Sequence, residues 1–97
     1  MNTPTRQATR QVTGQANESI IRVVLILDSE MSRAEIQKIL GLKHRENFVL
    51  NYLTPSLEYA YIEMTIPDIP THQDQRYRLT AKGIELKKNL EKAKKSL

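Results

Sequence analysis

Ninety-seven residues, 39% apolar and 27% charged, make one small domain that buries about 60–65% of its unfolded surface. There is no Cys, which excludes disulfides, thiolate chemistry and zinc-finger spacing, and no apolar run of about 18 residues that could span a membrane. The net charge of +4 sits at the two ends: residues 1–16 carry +2, residues 82–97 carry +4, and the stretch between them carries −2.

Residues 1–16 are rich in Thr, Gln and Asn and hold almost no apolar content. They read as a disordered linker or arm, with a degenerate Gln-Ala-Thr-Arg, Gln-Val-Thr-Gly repeat. The opening has no hydrophobic core and is not a secretory signal, so a cytoplasmic location is expected. Residues 17–97 are expected to form the folded domain. Asn17 can cap the first element, a nearly continuous apolar run from Ile20 to Leu27 broken by Arg22. Periodicity does not separate helix from strand here, and the β-branched content leans towards strand. Helix is expected because the unit that follows needs a third helix to close its core. Asp28, Ser29 and Glu30 end it, and Glu30 with Met31 can form a very short strand.

Ser32 to Leu53 organises the chain. Ser32 is a good N-cap, and Glu35 three residues on completes a capping box. Ala34, Ile36, Ile39 and Leu40 supply apolar contacts at helical spacing. Gly41 can take the left-handed conformation that stops a helix. A second helix starts near Lys43 or His44, with Phe48 and Leu53 in the core. Helix, glycine turn, helix is a helix-turn-helix. His44, Asn47, Asn51 and Thr54 share the opposite face, bordered by Glu46 and Leu50. Asn can pair with adenine and Thr can touch a thymine methyl group, although both types are equally at home in water. Val49 and Leu50 cannot both face the core, so one is expected to be exposed.

Pro55 is expected to start a new, kinked helical piece over residues 55–60. Tyr61 to Ile66 alternates as a half-buried strand with Ile62, Met64 and Ile66 on one face. Pro67 to Pro70 breaks it, and Arg76 to Leu79 resumes the alternation with Tyr77 and Leu79 inward. Arg76 and Arg78 then point outward, either towards phosphates or as a charged edge that discourages aggregation. Thr80 caps a last helix whose Leu86, Leu90, Ala93 and Leu97 stripe can dock on the core or on a second copy of the chain. Glu91 and Lys95 form an i,i+4 pair. The fold class is therefore α+β: a winged helix-turn-helix with a three-helix core, a two-stranded β-hairpin wing and a C-terminal helix.

On these elements the stretch MSRAEIQKILGLKHRENFVLNYLTPSLEYAYIEMTIPDIPTHQDQRYRLTAKG resembles the C-terminal winged-helix domain of Fic-family proteins. It is similar as well to the domain that ends RecG-like, Schlafen/AlbA-type transcriptional regulators. The resembling features are SRAEIQ before LGL, Arg45 with Phe48, Tyr52 to Pro55, the MTIPD start of the wing and the QRYRLTAKG close. The resemblance covers about residues 20–86 and implies the regulatory end of a larger protein. The His-Pro-Phe loop that Fic catalysis needs is absent, as are phosphate-cradling loops and metal-ligand spacings. No enzyme activity, cofactor or metal is expected of this chain. Two functions are open. In the first, the domain binds double-stranded DNA: Asn47, Asn51 and Thr54 approach base edges, while Lys43, His44, Arg45, Arg76, Arg78 and the C-terminal lysines hold phosphates. In the second, the same fold is a protein-interaction module, with a homodimer through the C-terminal helix.

Overall fold

The computed structural model describes the chain from Asn17 to Ser96, with side chains as far as Ala93. The arm over residues 1–16, the Glu91–Lys95 pair and Leu97 lie outside the described residues. Helix α1 (Glu18–Ile26) starts where Asn17 Oδ1 accepts the Ile20 N–H at 2.9 Å. The Ile20–Leu27 run is mostly helical despite its β-branched content, because its buried residues Ile20, Val23, Val24 and Leu27 form one helical stripe that packs on both clusters of the core. Val23 and Leu27 face the central cluster with Ile36, Phe48, Leu53, Ile62 and Tyr77. Ile20 and Val24 face a second cluster with Tyr61 and Leu86. Burial of that stripe outweighs propensity, and the apolar Ile21, Leu25 and Ile26 outside it mask the amphipathic period in the sequence. Arg22, the break in the run, lies 5.8 Å from the Tyr52 ring centroid and donates to its hydroxyl at 3.3 Å.

Helix α2 (Arg33–Leu40) carries the capping box in full: Ser32 Oγ accepts from Glu35 N–H at 3.2 Å, and Glu35 Oε1 accepts from Ser32 N–H at 2.8 Å. Gly41 ends it at φ 72°, with Leu42 N–H bonded to Gln37 O and Gly41 N–H to Lys38 O, a Schellman turn. Ile36 is buried and Leu40 partly so, but Ala34 and Ile39 are exposed. A helix this short turns only a narrow stripe inward, so two of the four expected apolar contacts are not made.

Helix α3 (Arg45–Phe48) leads on without a break to Pro55, which stands in the first turn of the next helical piece as expected. It runs through a π-helical segment (Val49–Leu53) into α4 (Thr54–Glu58), with the junction residues all in right-handed helical conformation. Proline lacks an N–H and its ring collides with the carbonyl four residues back in an α-helix. Widening the preceding turn shifts the hydrogen-bond ladder by one residue, seen in the Thr54 N–H bonded to Val49 O, and makes room for the ring. Ser56 is fully buried and satisfies its hydroxyl by donating to Tyr52 O at 2.7 Å. The end of α4 is a second Schellman turn: Tyr61 N–H bonds Ser56 O and Ala60 N–H bonds Leu57 O. Here a non-glycine, Ala60, holds the left-handed position at φ 63°.

Strands β1 (Ile62–Met64) and β2 (Tyr77–Leu79) pair antiparallel, Ile62 opposite Leu79 and Met64 opposite Tyr77. Met31 adds the expected short bridge, exchanging both backbone hydrogen bonds with Tyr77 at 3.0 and 2.8 Å. β1 is shorter than the six residues its alternation suggests, because a side chain takes over from the ladder. Gln75, only 7% exposed, accepts the Ile66 N–H and donates to the carbonyls of Ile66, Ile69 and Pro70. Helix α5 (Ala81–Ser96) begins with Thr80 Oγ1 accepting the Gly83 N–H at 3.1 Å. It buries Leu86 and half-buries Leu90 against α1, while Ala93 is exposed. Gly83 lies directly on the Tyr61 carbonyl, where any Cβ would collide.

Candidate nucleic-acid interface

The capping box and the Gly41 turn aim the second helix of the helix-turn-helix outward. Lys43, His44, Arg45, Asn47 and Asn51 are all exposed and Thr54 is half-buried. Asn51 Nδ2 donates to Asn47 Oδ1 at 2.6 Å, so the two amides form one fixed polar pair on the ridge. Val49 turns inward and Leu50 outward at 69% exposure, which resolves the choice between them. His44 precedes the first helical residue and caps it through its carbonyl, which accepts from Phe48 N–H, and not through its ring.

Arg76 and Arg78 do project from the wing, but each has at least one carboxylate against it. Arg76 Nη1 lies 3.4 Å from Glu35 Oε1 and donates to Glu30 O at 3.3 Å. Arg78 Nε donates to Glu63 Oε2 at 2.7 Å, with Glu30 Oε2 3.7 Å from Arg78 Nη1. The Glu63 carboxylate raises the Arg78 pKa, through its hydrogen bond first and its charge second. Glu35 is held below the usual carboxylate range, chiefly by the Ser32 N–H of the capping box and in part by Arg76. Sequence spacing does not expose these pairings, since Arg76 meets residues 41 and 46 positions away.

The C-terminal lysines are partly committed inside the molecule. Lys87 Nζ donates to Leu27 O at 2.8 Å at the end of α1, where the helix dipole favours a cation, and reaches Asp28 at 4.0 Å. Lys82 Nζ donates to Tyr59 O at 2.7 Å and sits 4.4 Å from the Tyr61 ring centroid. Lys88 and Lys92 are exposed.

Between the start of α2, the α3–α4 rod and the wing runs a groove of about 550 Å³. Arg33, Arg45 and His72 line it, and no Asp or Glu does. Arg33, which the sequence did not single out, and Tyr77, expected only as an inward-facing strand residue, both line it because the Met31–Tyr77 bridge draws the wing against the start of α2. Among the described residues no three His, Asp or Glu side chains gather as a metal site, and no helix is long and apolar enough to cross a membrane.

Comparison with known proteins bears on this architecture directly. The family model described as the C-terminal domain of filamentation induced by cAMP protein Fic-like matches residues 18–80. A crystal structure of a Fic family protein from Desulfovibrio desulfuricans G20 is similar at 40% sequence identity and a TM-score of 0.65, over 69% of this chain. The match spans 21% of that protein, about a fifth of its length. No curated protein matches. Nothing in these comparisons supports the likeness to RecG-like, Schlafen/AlbA-type regulators. On the match over residues 18–80, with the winged helix-turn-helix those residues build, the chain belongs to the Fic-like C-terminal domain family.

Proposed function

We propose that this chain is the non-catalytic regulatory end of a Fic protein, and that it binds double-stranded DNA through α3 and the π segment. The observation that carries this reading is the exposed Asn47–Asn51 pair on the second helix of the helix-turn-helix. Amides at that place can bond adenine edges in a major groove. Lys43, His44 and Arg45 stand at the N-terminal end of the same helix, where phosphates are favoured. Any chemistry belongs to a Fic domain that this chain does not contain, and the place of action is the cytoplasm. Because Arg76 and Arg78 are neutralised by Glu30, Glu35 and Glu63, few phosphates are held and affinity is modest. A fluorescence titration of a labelled 20-base-pair duplex, repeated over a salt series, tests it. The expected outcome is binding at low salt with a log–log slope of about −2 to −4. No binding at low salt contradicts it.

A second reading has its own support. Leu50 and Ile39 are 69% and 57% exposed, large for aliphatic side chains, and suit contact with another protein. A homodimer through α5 draws less support, since Leu86 is already buried against α1. Sedimentation that gives a monomer at high concentration counts against a homodimer on any surface.

A further inference from the structure

The groove beside the wing has a character unlike the rest of the central unit. Residues 17–81 carry a net charge of −2, yet the groove wall contributes two arginines and a histidine and no carboxylate. The Arg45 side chain makes no hydrogen bond or ion pair among the described residues. Arg33 bonds only the neutral amide of Gln37, at 2.8 Å. His72 accepts the Asp74 N–H on Nδ1 at 2.9 Å. The floor between these groups is apolar, built by Val49, Leu53, Leu57 and Met64.

One more group lines the same groove. Tyr77 is 6% exposed, and no described residue bonds its hydroxyl. A hydroxyl that has no partner among the described residues and lines a groove open to water can be taken over by a ligand acceptor without breaking a hydrogen bond inside the fold. Burial pushes the Tyr77 pKa above the ordinary tyrosine value, with Arg33 pulling it partly back. A donor hydroxyl with two guanidinium groups on the same wall suits an incoming carboxylate.

We propose that this groove docks a short acidic peptide segment of a partner protein. A carboxylate is received by Arg33, Arg45 and the Tyr77 hydroxyl, and a neighbouring apolar side chain covers the Val49–Leu57 floor. Charge complementarity selects the occupant. The chain's own arm over residues 1–16 contains no Asp or Glu and is a poor fit. A DNA backbone would satisfy the cations but leave the apolar floor wet. An acidic and apolar peptide satisfies both, in the manner of motif recognition by arginine-lined grooves.

The test is a 1H–15N NMR titration of the 97-residue chain with the blocked tetrapeptide acetyl-Phe-Asp-Leu-Glu-amide. Saturable shifts are expected at the amides of Arg33, Val49, Leu57 and Tyr77. The neutral counterpart acetyl-Phe-Asn-Leu-Gln-amide should bind about tenfold more weakly, and Arg45→Gln should weaken the acidic peptide by a similar factor. Tyr77→Phe separates ligand from fold: it should leave Tm unchanged or raised while weakening the peptide several-fold. Equal binding of both peptides, shifts confined to another face, or no shift at millimolar peptide would overturn the proposal. No DNA is present in these samples, so failure of duplex binding leaves the outcome intact, and the reverse holds too.

Discussion

The helix-turn-helix and the strand half of this chain are held in shape by different means. Between Asn17 and Leu53, conformation is set by neighbours in sequence: Asn17 and Ser32 cap their own helices, and Gly41 stops one. Between Ala60 and Leu79, it is set by side chains that reach across loops. Gln75 stands in for a strand edge, Ala60 takes a glycine's place, and Glu30 and Glu35 come from the other half to meet the wing arginines. The contrast extends to charge. Arg45 on the helical side is unpaired among the described residues, whereas Arg76 and Arg78 on the wing have acidic partners. Counting basic residues therefore overstates the wing's positive field.

Replacing Gln75 by Ala should separate the two halves most sharply. It removes four hydrogen bonds and strands the Ile66 N–H, at a cost of about 2–3 kcal/mol. Hydrogen exchange should show the added opening in the wing and not in α2. The same protection loss in both halves would mean that they unfold as one unit. A smaller change tests the unusual helix end. Ala60→Gly relieves a left-handed alanine and should raise stability by about 1 kcal/mol, read as a higher urea midpoint. A drop would show that Ala60 contributes packing that outweighs its backbone strain.

Freeing a wing arginine should have a milder, functional effect. Glu63→Gln removes the closest carboxylate from Arg78 and should raise duplex affinity by roughly two- to threefold, with a steeper salt slope. Unchanged affinity would place Arg78 away from the duplex. The smallest effect concerns acid. Glu35 has a depressed pKa in the folded chain, so it stabilises the fold above the unfolded carboxylate range. That contribution is lost as pH falls through the lowered folded pKa. Glu35→Gln keeps a capping acceptor for Ser32 N–H but cannot titrate, so its stability should fall less steeply below that range. Identical acid-side curves for the two proteins would contradict the assignment.

The same division explains what was legible in the sequence. Ser32 with Glu35, Gly41, Phe48, Leu53 and Thr80 take the places their local spacing implies. The α1 helix was readable only through the need of its neighbours, because Ile21, Leu25 and Ile26, apolar but outside the buried stripe, masked its period. Pro55 marked an irregularity but not its form, since a kink and a π turn answer the same steric demand. Ile39 and Ala34 have the right spacing but the wrong azimuth for so short a helix. At the candidate interface, the outward face of α3 was legible from periodicity. The neutralised wing and the groove with Arg33 and Tyr77 were not, because both arise from contacts between elements distant in sequence.

The central claim is that the ridge bearing Asn47 and Asn51 is the surface that meets a duplex. A 1H–15N NMR titration of the full chain with a 20-base-pair duplex at low salt tests this most directly. Shifts concentrated on residues 43–54, including the side-chain amides of Asn47 and Asn51, with weak effects at Arg76 and Arg78, are the predicted result. Shifts that spare residues 43–54, or an unchanged spectrum at saturating duplex, would contradict it.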